Sequence, residues 1–131
     1  MRKWFLILVF LLAQPTFVLA AELLLFGGSG HIEFLGCLNC NEYHGKSVWN
    51  EMSRFGFKND YGVWNPFGSY ANPFSSYAAC GEFASDPPVI VEGVGNAYGR
   101  LSINEFTSGS ICGVTGNEKL CRALKAMCAK K

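Results

Sequence analysis

The chain has 131 residues, six cysteines, 15% aromatic residues and a formal net charge of +1. That length suits a single domain, and a charge so near balance excludes the strongly basic stripe of a nucleic-acid binder. An even number of cysteines in a short chain points to a disulfide framework formed in an oxidising compartment.

Arg2 and Lys3 precede an apolar run of ten residues, 4–13, and Val18-Leu19-Ala20 offers small residues where a signal peptidase cuts. The pattern predicts a signal peptide over residues 1–20 and one exported domain over residues 21–131, periplasmic or extracellular. Gln14 and Pro15 interrupt the run, which is shorter than the roughly 20 residues a membrane-spanning helix needs. No later segment approaches that length, so no membrane span is expected in the mature chain. Without residues 1–20 the net charge is −1, with −5 on residues 21–116 and +4 on residues 117–131. No Asn-x-Ser/Thr glycosylation acceptor is present.

Residues 23–40 hold two β-prone runs around Gly27-Gly28-Ser29-Gly30, which reads as a hairpin. Its second run continues into Gly36-Cys37-Leu38-Asn39-Cys40-Asn41-Glu42-Tyr43. A counterpart lies 63 positions later, at Gly99-Arg100-Leu101-Ser102-Ile103-Asn104-Glu105-Phe106. Glycine, leucine, asparagine and glutamate recur in step, and Leu35 and Tyr98 precede the two glycines. This predicts an internal duplication that maps hairpin onto hairpin, with Leu38 and Cys40 facing inward like Leu101 and Ile103.

Residues 44–87 are rich in rings, and residues 43–83 contain eleven aromatics in 41 positions. Val48-Trp49-Asn50 recurs as Val63-Trp64-Asn65, a weaker repeat of about 15 residues. Ser47 is placed to cap a short helix carrying Trp49, Met52 and Phe55, with Gly56 ending it. Asn65-Pro66, Asn72-Pro73 and Pro87-Pro88 oppose helix, so short turns pinned by aromatics are expected elsewhere in this zone. Residues 88–104 read as the second hairpin, with Val89-Ile90-Val91, a turn at Gly93-Val94-Gly95-Asn96, and alternation after it.

Residues 117–130 read as a helix. Asn117 is the expected N-cap, and Leu120, Cys121, Leu124, Met127 and Cys128 form one apolar stripe. Cys121 and Cys128 are two turns apart, about 10 Å of rise, and cannot easily bond each other. Each needs a partner elsewhere, for which Cys112 and Cys80 are candidates; Cys37 and Cys40 complete the six. Fifteen pairings are formally open.

Cys37-x-x-Cys40 admits a redox reading, but the pair falls at a strand end and not at a helix start, which favours a structural disulfide. Cys37, Cys40, His44 and Cys80 also match a zinc set in residue type, against which an oxidising compartment counts. No catalytic constellation is expected. His31 and His44 are the only histidines, neither lies by a nucleophile elbow, and the acids are scattered. Glu42 and Glu105 sit at equivalent repeat positions, which suggests a shared structural bond and not glycoside hydrolysis. Trp49, Tyr61, Trp64, Tyr70 and Tyr77 are candidates to stack on a sugar or bind peptide, but a hydrophobic core is the favoured use, because this zone has few aliphatic residues to build one.

Phe34-Leu35-Gly36, Ser47-Val48-Trp49-Asn50, Pro87-Pro88-Val89-Ile90-Val91 and Ala97-Tyr98-Gly99 together resemble uncharacterised small exported bacterial proteins. Those proteins carry Ser-Ile-Trp-Asn and Tyr-Gly-Ser repeats, and the resemblance spans roughly residues 31–106. It implies export and a repeat-built fold, and no reaction. The extra cysteines after residue 79 depart from that pattern.

The expected fold is therefore α+β: a small β-rich domain of duplicated hairpins, an irregular aromatic-rich middle and a C-terminal helix. The expected role is a non-enzymatic structural or binding module of the cell envelope, without cofactor or metal, whose partner is envelope polysaccharide or protein. The alternatives are a carbohydrate-binding module and a thiol or zinc protein built on Cys37 and Cys40.

Overall fold

The computed structural model describes residues 21–57, 59 and 62–130. The signal peptide expected over residues 1–20 lies outside them, as does the candidate Tyr61. Four strands form one antiparallel sheet: β1 (Leu23–Gly27), β2 (Glu33–Cys37), β3 (Val89–Glu92) and β4 (Ala97–Arg100), in the order β2-β1-β3-β4. One helix, α1 (Glu118–Ala129), follows near the C-terminus. The chain is thus a small α+β domain.

Leu25, Leu35 and Ile90 are fully buried, and Leu25 pairs with Ile90 across the β1–β3 seam at the centre of the sheet. The outer strands are not left open. Cys37 N donates to Lys46 O at 2.7 Å, and Val48 N donates to Cys37 O at 3.1 Å. On the other side, Arg100 N donates to Gly109 O at 2.7 Å, and Ile111 N donates to Arg100 O at 3.0 Å. Chain that leaves β2 or β4 thus folds back to bridge the last residue of the same strand on its outer side, which blunts that end of the edge.

The middle of the chain differs from the sequence expectation. No helix forms at Ser47. Its hydroxyl accepts from Trp49 N at 3.1 Å and donates to Cys40 O at 3.1 Å, a turn that competes with helix. The zone is also regular, built from steps of three residues, five of which separate Val48-Trp49 from Val63-Trp64. The N–H of every third residue, from His44 to Gly68, donates to the carbonyl three positions earlier. One extra residue enters before Asn72, and the stepping resumes through Ser75, Ala78, Gly81 and Ala84. The same steps run from Thr107 to Gly116.

Short polar residues lead the triplets because their side chains complete each turn. Asn41, Asn50, Asn65, Asn72 and Asn104 each accept, through Oδ1, the N–H two residues on. A second ladder holds successive steps together. Asn50 Nδ2 donates to His44 O, Ser53 Oγ to Ser47 O, Asn59 Nδ2 to Ser53 O, and Asn65 Nδ2 to Asn59 O, each reaching six residues back. Backbone six residues apart is close enough at Gly56 and Gly62 that a methyl group has no room.

Three disulfides tie the parts together: Cys37–Cys40, Cys80–Cys128 and Cys112–Cys121. Cys121 and Cys128 thus bond to Cys112 and Cys80 and not to each other. Asn117 Oδ1 accepts from Leu120 N at 3.0 Å at the start of α1, and Leu124 is buried in the common core. Cys40 and Ile103, expected to face inward, are only partly buried, whereas Leu38 and Leu101 are buried.

Candidate binding surface

The triplet decides where each ring points. At Ser47-Val48-Trp49 and Gly62-Val63-Trp64 the step is inward: Val48 and Val63 are fully buried, and Trp49 and Trp64 after them stack with centroids 5.1 Å apart, whereas Val114, with no ring after it, is exposed. Where the second residue is glutamate or proline, the step is outward. Asn41-Glu42-Tyr43, Asn50-Glu51-Met52, Asn65-Pro66-Phe67, Asn72-Pro73-Phe74, Gly81-Glu82-Phe83 and Asn104-Glu105-Phe106 all end in an exposed apolar side chain.

Of the two uses weighed for these aromatics, burial in the core is the one the structure shows. Trp64 and Tyr70 are only 7% and 5% exposed, and Trp49 and Tyr77 pack against the core. These four are core residues and offer no flat exposed platform. Trp49 Nε1 donates to Leu38 O at 2.8 Å, while the buried Trp64 Nε1 has no hydrogen-bond partner among the described residues. The rings that face solvent are others: Tyr43 and Phe67, and, bordering one another's grooves, Phe74, Phe83 and Phe106, which are 95%, 91% and 95% exposed. The glutamate or proline before each ring, a two-residue signal visible in the sequence, separates the two sets.

The exposed rings border connected grooves beside the end of α1. One, of about 350 Å³, lies between Phe83, Ile103, Phe106 and Lys125. A second, of about 390 Å³, shares Phe83 and Ile103 and reaches Phe74 and Cys128. A third, of about 560 Å³, continues from Pro73 and Cys128 to Phe57, Trp64 and Met127. Glu82 and Glu105 stand among these rings, and Lys125 Nζ lies 3.7 Å from Glu105 Oε1. The result is an apolar strip with carboxylates at its margin, a composition suited to a ligand with both apolar faces and hydroxyl groups.

Two polar clusters escaped the sequence reading because their members come from distant segments. His31 Nε2 donates to Asp86 Oδ1 at 2.6 Å, and Arg100 Nη2 donates to the same oxygen at 2.8 Å. Arg100 also donates to Pro87 O through Nε and Nη2. The cluster joins the β1–β2 connection to the approach to β3 and the end of β4, with His31 held at a φ of 52°. Among the described residues it hydrogen-bonds to no hydroxyl or thiol, and its contribution is to lock three segments.

In the second cluster, the Tyr70 hydroxyl donates a very short hydrogen bond to Glu33 Oε2. Burial, reinforced by the Glu33 bond and charge and by Tyr77, pushes the Tyr70 phenol far above its ordinary value of 10.0. The fold therefore holds the protonated phenol more tightly than the unfolded chain does. That stability is fully present below pH 10 and is lost as pH rises beyond it. Stability measured by urea unfolding should fall between about pH 10 and 12. Tyr70→Phe should be less stable at pH 7 but flatten that fall; an unchanged alkaline slope would show that other groups cause it.

Comparison with known protein families, curated proteins and solved structures finds no match. The zinc set fails on chemistry, since Cys37, Cys40 and Cys80 are all in disulfides and Cys80 is bonded to Cys128. Glu22, Cys40 and His44 do converge, their ligand atoms lying within 4.8 Å of one another, but that sulfur too is in a disulfide.

Proposed function

We propose that the chain is an exported, non-enzymatic binding module of the cell envelope that engages its partner through the strip bordered by Phe74, Phe83 and Phe106. The observation that carries this reading is the near-complete exposure of those three rings on a fold that buries other rings well. Exposed apolar patches rimmed by polar groups mark interaction surfaces. Export is supported by the pairing of all six cysteines, which a reducing cytosol would oppose. Among the described residues, no helix is long and apolar enough to cross a membrane.

An internal duplication is part of this reading. It is supported by Cys37 bridging Ser47 as Arg100 bridges Ser110, both pairs 63 positions apart, and by register shifts at Leu25/Phe26 and Ile90/Val91. A scaffold of repeated turns presents side chains at regular intervals, which suits an extended partner.

A carbohydrate partner is the second reading, favoured by Glu82 and Glu105 beside Phe83 and Phe106. The rings would stack on sugar faces, and the carboxylates would accept hydroxyl hydrogens. Co-sedimentation with isolated envelope fragments tests the module. The native protein should sediment, and Phe74→Ser/Phe83→Ser/Phe106→Ser should lose at least about tenfold in affinity while keeping its melting temperature. Equal sedimentation of both, or none of either, overturns the assignment. Competition by soluble envelope oligosaccharide separates a glycan partner from a protein one.

A further inference from the structure

The geometry points to a second function, independent of the binding strip. We propose that Cys37–Cys40 is a site of dithiol–disulfide exchange that opens at Cys40. Three observations carry it.

The first is the asymmetry of the two sulfurs. Cys37 is fully buried, whereas Cys40 is partly exposed and is the one beside His44 and Glu22. A ring nitrogen of His44 and a carboxylate oxygen of Glu22 lie within 4.8 Å of the Cys40 sulfur and of each other. Lys46 Nζ adjoins the same carboxylate at 3.9 Å. His44 Nδ1 accepts from Lys46 N at 3.1 Å, which keeps the neutral ring's proton on Nε2 and fixes its orientation. An attacking thiol can thus reach only Cys40, and there it meets a ring nitrogen able to take up its proton.

The second is that the surrounding backbone is held without the bond. Cys37 N and O are both in hydrogen bonds to the chain at Lys46 and Val48, Leu38 N donates to Leu23 O at 2.7 Å, and Ser47 Oγ holds Cys40 O. The third is the other half of the sheet. Arg100 and Ile103 stand where Cys37 and Cys40 do, and Arg100 makes the same pair of backbone bonds with no covalent link. The turn therefore does not need this disulfide. Cys80–Cys128 and Cys112–Cys121, by contrast, anchor α1 from sequence separations of 48 and 9.

The step balances with a dithiol as co-reactant. A thiolate of that dithiol attacks Cys40 Sγ, the Cys37–Cys40 bond breaks, and Cys37 leaves as a thiolate. The second thiol then attacks the mixed disulfide, releasing Cys40. The dithiol becomes a disulfide, and its two protons end on Cys37 and Cys40. In the reverse direction, Cys40 is the attacking thiolate on a substrate disulfide.

The test uses the full exported chain in graded dithiothreitol, followed by alkylation and mass mapping. Cys37 and Cys40 should take up label while Cys80, Cys112, Cys121 and Cys128 remain bonded, and the melting temperature should fall less than it does once Cys80–Cys128 is also reduced. In Cys37→Ala, Cys40 should form a mixed disulfide with an aromatic disulfide probe. His44→Asn keeps the turn, because asparagine makes the same bond to the amide two residues on at Asn41 and Asn50. It should slow reduction at least about tenfold without changing the melting temperature. Simultaneous labelling of all six cysteines, or an unchanged rate in His44→Asn, overturns the proposal.

Discussion

Replacing Cys80 and Cys128 together with alanine is expected to lower the unfolding free energy by about 4 kcal/mol. The bond spans a sequence separation of 48, and in the chain-entropy account the denatured state gains most freedom when the longest loop is released. The same arithmetic gives about 2.5 kcal/mol for Cys112–Cys121 and about 1.5 kcal/mol for Cys37–Cys40, whose separations are 9 and 3. Against a typical total of about 5–15 kcal/mol, only the first threatens the fold. The helix explains why. A 12-residue helix is marginal alone, and α1 stays ordered by packing Leu120, Leu124 and Met127 over Trp49 and Trp64. Urea unfolding followed by tryptophan fluorescence and helical circular dichroism measures the loss. A midpoint unchanged from the native protein would show that apolar packing alone holds α1 in place.

Gly56→Ala and Gly62→Ala should each destabilise the protein by about 3 kcal/mol. A Cβ at Gly56 would lie 2.1 Å from Asn50 O, and one at Gly62 would lie 2.3 Å from Gly56 O. Both obstacles are backbone atoms two steps earlier in the chain, so no side-chain rotation relieves them. The steps must separate, which breaks the neighbouring bonds of Asn50 and Asn59 to carbonyls six residues back. Gly45 supplies the control, since nothing lies within 4 Å of a Cβ there. Gly45→Ala should be neutral or stabilising by about 0.4–1 kcal/mol, because it restricts the unfolded chain. Comparing the three urea midpoints separates a steric effect of stacking from a general effect of losing glycine. Equal midpoints for all three would mean that the triplet steps do not stack in this way.

Features written within a few residues of each other were legible in advance. Leu23–Gly27 and Val89–Glu92 are apolar runs ended by glycine turns, and both became strands. The Asn117 cap and the stripe through Leu120, Leu124 and Met127 describe a helix that needs no distant information. The helix suggested at Ser47 failed on the same local scale. Serine and asparagine at positions 47, 50 and 53 favour turns that close on the amide two residues on, and this preference outweighs an apolar spacing of three. That three-residue period was present in the residues but hidden beneath the more conspicuous recurrence of Val-Trp-Asn.

The sequence by itself determined the strands, the helix and the polar residues that complete each turn, because those bonds join neighbours along the chain. It also narrowed the helix cysteines, because about 10 Å of helical rise separates Cys121 from Cys128. Only the tertiary structure decided which rings serve as core and which face solvent. A ring's burial depends on what the opposite surface supplies, and for Trp49 and Trp64 that surface is α1, more than 50 residues further along the chain. The same holds for His31, Asp86 and Arg100, and for Glu22, Cys40 and His44: each set is assembled across strands, and no spacing along the chain records it.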